Sequence, residues 1–271
     1  MKRILCSIDF STSYDQVVKY AAHVAKDTSS KLVLLATHPM GKAEYAGIFS
    51  SHPEEVAEGP ERLAELCDEI RSIYCVPSDY IDEGGMHIEI KNLIRYTHDA
   101  DLLVLGVQHD TLSGQLVNSS NIFKILREST CPVLLIPENY KYHKISRFLY
   151  AFDPEKGQEP PFDKLMSLAQ WFGSEMRFLS IIRKYSPELE KKMDHDFEAF
   201  QKVWKVGKFS FDYVYYDDVP KCLDHYVKTW KDDDVILFTI HTTNMIESLF
   251  HKSVVKEIAS CASYPILVIH R

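Results

Sequence analysis

The sequence lacks the cysteine pairs, the long apolar run and the basic excess that mark several common classes of protein. Its six cysteines form no Cys-x-x-Cys pair, so the paired short spacings of a zinc site are absent. No segment approaches the roughly 20 apolar residues of a membrane span. The net charge of −8 argues against an electrostatic nucleic-acid binder. We therefore expect no metal site, no membrane partner and no nucleic-acid partner.

The N-terminal residues, MKRILCSID, run directly into an apolar strand, which argues against a signal peptide. The cysteines are expected to be small buried hydrophobes in a reducing compartment. Both observations predict a cytoplasmic protein. A length of 271 residues with 45% apolar side chains suits two domains that each bury their own core.

The stretch from Asp101 to Pro137 has the clearest pattern in the chain. A continuous apolar run ended by Gly106 predicts a buried strand, and a second run at Val133 to Ile136 predicts another. Between them lie a long polar turn and an amphipathic helix, which together make a parallel βαβ unit. The turn ends in Ser119 and Ser120 just before the helix. Free backbone N–H groups at a helix N-terminus suit an anion such as phosphate.

This unit recurs near the C-terminus. Asp101 lies 31 residues before Pro132, and Asp234 lies 31 residues before Pro265. The first strands also match, because RILCSID and RFLYAFD each place an Arg six residues before an Asp. A fixed period of this kind indicates a tandem duplication. We predict an N-terminal domain over residues 1–140 and a C-terminal domain over residues 145–271.

Strand and helix patterns alternate through each copy in the order βαβαβαβαβ. This order predicts an α/β fold of two tandem, doubly wound, parallel five-stranded sheets of the Rossmann-like type. The polar segment from Glu138 to Lys144 is interpreted as the connection between the copies. The apolar last strands, CPVLLIP and YPILVIH, are expected to pair, which would join the copies as an intramolecular pseudo-dimer and cover exposed sheet edges. A further homodimer is compatible with the sequence.

The chain resembles the universal stress protein family over its whole length, as two fused copies. The resemblance rests on the strand ending in Asp9, on a G-x2-G-x9-G-[ST] type turn that aligns at Gly106, His109, Ser119 and Ser120, and on the closing CPVLLIP strand. Members of this family that bind ATP hold the nucleoside near the strand-end Asp and the phosphates at the glycine turn. The resemblance therefore implies an ATP site in the N-terminal domain. Its expected cofactor-binding residues are Asp9, Gly106, His109, Ser119, Ser120 and Asn121.

Two of the three glycines of the family motif are replaced in the first copy, by His109 and Ser119. A side chain at either position stands where phosphates would approach, and only glycine is free to adopt positive φ. The second copy departs further, because Thr239, Thr242 and Lys252 occupy the three glycine positions. We interpret the second copy as a degenerate site that keeps the fold.

Each candidate site residue also has a structural interpretation. Asp9 orients a nucleoside or caps the turn into the first helix, and Ser119 and Ser120 bind phosphate or act as an ordinary N-cap. A metal or proton-transfer dyad of His109 and Asp110 lacks a third ligand. His195 and His251 are expected to be solvated residues.

Three functions fit this sequence. The first is a non-enzymatic, nucleotide-responsive stress protein with at most one ATP site. The second is an enzyme on a related nucleotide-binding fold, but the turn after the first strand reads DFSTS and lacks the HIGH-like or SGGxDS-like motif of such enzymes. The third is an interaction scaffold, or a binder of another small ligand in the remodelled cleft. We expect no catalytic residues.

Overall fold

The computed structural model describes most of the chain and resolves it into two compact units. The described residues are 1–8, 14–36, 59–82, 89–107, 109–110, 115–116, 119–138, 140–152, 160–182, 186–203, 208–215, 222, 234–240 and 264–270. The first unit comprises Met1–Lys144, Thr239–Met245 and Ala262–Arg271, and the second comprises Ile145–Phe238 and Ile246–Cys261. Asp9 falls outside the described residues, as do Thr242 and Lys252.

Strands and helices alternate in the first unit as the apolar patterns predict. The elements in chain order are β1 (Arg3–Ile8), α1 (Tyr14–Asp27), β2 (Lys31–Ala36), α2 (Gly59–Tyr74), β3 (Ser78–Ile81), α3 (Ile90–Tyr96), a 3-10 turn (Thr97–Asp99), β4 (Leu102–Val107), β5 (His109–Asp110), β6 (Gln115–Leu116), α4 (Ser119–Glu128) and β7 (Val133–Pro137).

The sheet of the first unit has the strand order β3-β2-β1-β4-β7. All four of these pairings are parallel. Because the strand order reverses between β1 and β4, their carboxyl ends form a topological switch point, where ligands of doubly wound sheets bind. Gly106 lies next to the last residue of β4, near this switch point.

The last strand of the chain belongs to the sheet of the first unit. Strand β12 (Ile266–His270) pairs antiparallel with β7, with Leu267 opposite Leu134 and Val268 opposite Val133. The two strands pair as their apolar sequences predict. At the end of β12, His270 Nε2 lies 2.6 Å from the carbonyl oxygen of Leu126 in the last turn of α4. The terminal strand thus contacts the helix that follows the candidate phosphate turn.

The second unit repeats the same alternation. Its elements are β8 (Arg147–Phe152), α5 (Phe162–Phe172), β9 (Glu175–Ile182), α6 (Pro187–Val203), β10 (Phe209–Tyr215) and β11 (Asp234–Ile240), with the strand order β10-β9-β8-β11 and parallel pairing throughout. Phenylalanines fill the space between the sheet and its helices. Phe178 stacks on Phe211 at 4.5 Å, and Phe200 lies 5.7 Å from Phe178. His195 is exposed on α6, as predicted.

An Arg and an Asp that recur in both copies lie at the amino edge of each sheet: Arg3 and Asp101 in the first unit, and Arg147 and Asp234 in the second. In the first unit, Arg3 N donates to Asp101 Oδ2 at 2.8 Å, and Asp101 N donates to Arg3 O at 2.8 Å. In the second unit, Asp234 stands opposite Arg147 in the register of β11 and β8. These landmarks of the duplication lie at the edge of the sheet opposite the candidate site.

No helix among the described residues is long and apolar enough to cross a membrane.

Candidate functional site

Gly106 is the next-to-last residue of β4 and lies directly against α1. It pairs with Ile136 of β7, so its backbone is fixed within the sheet. A Cβ added at this position would lie 2.7 Å from Val17 Cγ2, closer than carbon atoms approach each other without a shift. Gly106 is therefore needed for the close packing of α1 on β4. Sequence reasoning assigned this glycine to the ligand alone and missed Val17 as its partner.

The motif turn after Gly106 folds back as a short hairpin. His109 pairs with Leu116, and Asp110 pairs with Gln115. His109 thus lies in an extended strand, where the family pattern has a glycine that is free to adopt positive φ. Adjacent residue pairs of an antiparallel ladder alternate between a hydrogen-bonded and a non-hydrogen-bonded arrangement. In one of these two pairs, the two residues therefore bond to each other through their backbone N–H and C=O groups. Those groups are not available to a ligand while the hairpin is formed.

Ser119, Ser120 and Asn121 are the first three residues of α4. The helix begins at Ser119, so both serines belong to its first turn and do not precede the helix as the sequence pattern suggested. The backbone N–H groups of a first turn have no partner within the helix, and the helix dipole favours an anion there. The first turn of α4 also contains no acidic residue that would repel one. The stripe of Ile122, Ile125 and Leu126 is buried as predicted and fixes the helix on the sheet.

The start of α1 is held from α2. Tyr14, the first residue of α1, accepts hydrogen bonds from Arg62 Nε and Nη2 at 3.4 Å each. Arg62 Nη1 donates to Glu65 at 3.0 Å and to Glu69 at 3.3 Å. The hydrogen bond to Tyr14 and then that to Glu65 raise the pKa of Arg62 above its usual range. Since two carboxylates already pair with it, this arginine serves to fix α1 and is not a free cation for a phosphate.

The described residues contain no group of three or more His, Cys, Asp and Glu side chains placed to hold a metal ion. The buried thiols are also poorly suited to chemistry at neutral pH. Burial raises the pKa of Cys67 to about 11 and that of Cys131 to about 12, so both are protonated.

The order of the strands, the switch point and the turn that leads into α4 define a doubly wound α/β protein with a candidate anion site at the carboxyl edge of its sheet. A model of the universal stress protein family matches residues 1–137, which is half of the chain. The chain belongs to the universal stress protein family. No curated protein sequence matches it.

Solved structures share the fold across both halves of the chain. A universal stress protein from Archaeoglobus fulgidus DSM 4304 is 13% identical, with a TM-score of 0.66 over 99% of this chain and 96% of that one. A structure assigned to the universal stress proteins from Pseudomonas aeruginosa UCBPP-PA14 is 15% identical, with a TM-score of 0.55 over 100% and 93%. The cytoplasmic domain of a prokaryotic cation chloride cotransporter is 8% identical, with a TM-score of 0.51 over 98% and 94%. At these identities the likeness concerns the fold alone.

Proposed function

We propose that this protein is a non-enzymatic, nucleotide-responsive member of the universal stress protein family, with a single ATP site in its first copy. The observation that carries the proposal is the arrangement of β4, the motif turn and α4 at the switch point of the first sheet. Gly106 is the next-to-last residue of β4, and Ser119, Ser120 and Asn121 are the first residues of α4. In this proposal Asp9 holds the nucleoside, and the first turn of α4 holds the phosphates.

The proposal confines binding to the first copy. Thr239 is the next-to-last residue of β11, at the position that Gly106 has in β4 of the first copy. Residues with a Cβ at all three glycine positions leave less room for phosphate than the first copy does. The second copy then contributes fold and not ligand binding.

Isothermal titration of the purified full chain with ATP tests this function. We expect one site per chain, loss of binding in the double variant Asp9→Ala/Ser120→Ala, and unchanged binding in the matched control Asp153→Ala. Two equivalent sites would contradict the assignment to the first copy. Release of ADP during the titration would contradict the non-enzymatic role.

The second candidate is a scaffold, or a binder of another small ligand, and the hairpin at His109 favours it. A residue held in an extended pair cannot supply the positive-φ backbone that a phosphate cradle requires. The fold is compatible with this role, since it also occurs as the cytoplasmic domain of a cation chloride cotransporter.

The variant His109→Gly separates the two candidates. If the hairpin weakens an ATP site, glycine should tighten ATP binding by about 5- to 30-fold, because one constrained backbone position accounts for roughly 1–2 kcal/mol. A fall in affinity would mean that His109 itself contacts the ligand. Unchanged affinity, or no binding by either protein, would favour the scaffold.

A further inference from the structure

The connection after β7 does not leave the first unit as a free linker. Tyr140 N donates to Pro137 O at 3.1 Å, so the chain turns as soon as β7 ends. From there Tyr140 and Tyr142 are half-buried, whereas Lys141 and His143 are exposed. This alternation is typical of an extended segment with one face against the protein. We call residues 140–144 the strap.

The strap packs along one face of α1 over almost the whole length of the helix. Gln16, Tyr20, His23 and Asp27 follow one another at helical spacings of four, three and four residues, so they form a single stripe. At the first turn of the helix, Gln16 Nε2 donates to Tyr140 O at 2.9 Å. At its last residue, Tyr142 Oη donates to Asp27 Oδ2 at 2.7 Å.

Aromatic rings fill the space between these two hydrogen bonds. The rings of Tyr142 and His23 stack at 4.6 Å and are within 3° of parallel. Tyr20 meets Tyr142 edge to face at 4.9 Å, and Tyr74 of α2 meets His23 edge to face at 4.9 Å. Only 1% of Tyr20 is exposed, and burial raises its pKa far above the usual value. The strap therefore completes a small aromatic core that α1 and α2 would otherwise expose.

The same helix also contacts the candidate site. Val17 lies between Gln16 and Tyr20 in sequence and packs on Gly106. The first residue of α1, Tyr14, follows Asp9 by five positions in the sequence. Any shift of α1 along or away from the sheet would therefore move its contact with Gly106.

We propose that the strap is a positioning device: it holds α1 in place through Tyr142, and thereby sets the affinity of the nucleotide site in the first copy. The second half of this inference rests on the proposed function, and the first half does not. By linkage, a nucleotide that favours the held position of α1 must in turn tighten the strap. The segment that leads into the second copy is then held more tightly when the first copy binds a nucleotide.

Hydrogen exchange of the full chain, without ligand, tests whether the strap holds α1. In Tyr142→Ala we expect amides of α1 to exchange about tenfold faster, equivalent to about 1.4 kcal/mol, because the ring stack and one hydrogen bond are lost. Tyr142→Phe keeps the stack, so it should recover most of the protection. The matched control His143→Ala changes an exposed strap residue and should behave as wild type. Exchange in α1 that is the same for Tyr142→Ala and wild type would overturn the inference.

ATP titration and limited trypsin digestion test the link to the site. Tyr142→Ala should weaken ATP binding by about tenfold, while Tyr142→Phe and His143→Ala should not. Saturating ATP should slow cleavage of the wild type after Lys141 and Lys144. If ATP binds equally well to Tyr142→Ala, the coupling is refuted while the proposed function stands. If the wild type binds no ATP, the proposed function and the coupling fail together, and hydrogen exchange still decides whether the strap holds α1.

Discussion

Gly106 can serve the packing of α1 or the binding of a ligand, and its contact with Val17 allows these two roles to be tested separately. In Gly106→Ala the new Cβ would lie 2.7 Å from Val17 Cγ2, about 1 Å inside an ordinary carbon contact. The strand cannot retreat, because β4 is paired on both sides with β1 and β7. Val17 cannot turn away either, since only 4% of it is exposed and β-branched residues in helices strongly prefer one rotamer. The helix must therefore shift.

Overpacking of this kind costs about 2 kcal/mol, within the usual range of 1–3. For a chain of this size such a loss lowers the melting temperature by about 4–8 °C. Val17→Ala alone should also cost about 2 kcal/mol, because two buried methyl groups are lost and a small cavity remains. In the double variant the clash disappears, so we expect a total near 2 kcal/mol and not the sum of about 4.

Thermal unfolding followed by circular dichroism gives these energies for the whole chain. All three tryptophans, Trp171, Trp204 and Trp230, lie in the second half, so their fluorescence should change little in these variants. Hydrogen exchange in peptides of β4 and α1 should locate the loss in the first unit. A fully additive double variant would refute the packing argument, and so would Gly106→Ala with wild-type stability.

The same three variants distinguish the two roles of the glycine. If Gly106 matters only because α1 packs on it, Val17→Ala should restore the ATP affinity that Gly106→Ala loses. If the backbone at this position also meets a phosphate, affinity should stay low although stability recovers. Either result is independent of whether the second copy binds anything.

Three further predictions concern other parts of the chain. Burial lowers the pKa of His23, Asp27 raises it and Lys26 lowers it, and the net shift is downward. The neutral ring stacked on Tyr142 therefore stabilises the strap fully above about pH 6.5, the ordinary pKa of His. As pH falls through the lowered pKa, the protection factors of the α1 amides, which correct for slower intrinsic exchange at low pH, should fall in the wild type but not in His23→Phe. Cys75 has a φ of 57°, which glycine adopts more readily, so Cys75→Gly should stabilise the chain by about 0.5–1 kcal/mol. Cys75 is also exposed, so mass mapping after thiol labelling at pH 7 should find it modified well before the buried cysteines. His270→Ala should cost about 1 kcal/mol by thermal unfolding, through loss of the hydrogen bond to the last turn of α4; unchanged stability would mean that water replaces it.

Most regular elements could be predicted from the sequence because their apolar patterns are long. The buried strand expected before Gly106 is β4, and the buried strand expected at Val133 to Ile136 is β7, which extends to Pro137. The amphipathic helix expected between these two strands is α4. In each case the burial of one face or both faces of the element decides its structure. Because the chain is duplicated, the same patterns occur a second time and support the prediction.

The features around the candidate site could not be predicted in this way. The hairpin at His109 consists of two short strands, too short to show any periodicity. The segment from Glu138 to Lys144, which contains the strap, was interpreted as a polar connection because its five polar residues outnumber Tyr140 and Tyr142. A tyrosine at every second position of a linker is the signal that could have revealed it. The burial of Tyr20 on α1 also depends on the strap, because the ring of Tyr142 packs against it.

The terminal strand gives the second half of the chain a structural role that requires no ligand. Strand β7 is fully buried, and β12 pairs with it through apolar residues that are buried in turn. Without β12 this edge of the first sheet would present unpaired backbone groups and a row of large apolar side chains, which is a surface prone to association. A copy whose motif has lost its glycines can therefore still be necessary, because it carries the strand that covers the edge. The same strand places His270 at the last turn of α4, and the first turn of that helix carries Ser119 and Ser120. Through α4 and through the strap, the sequence that follows the first copy thus contacts both helices that flank the candidate site.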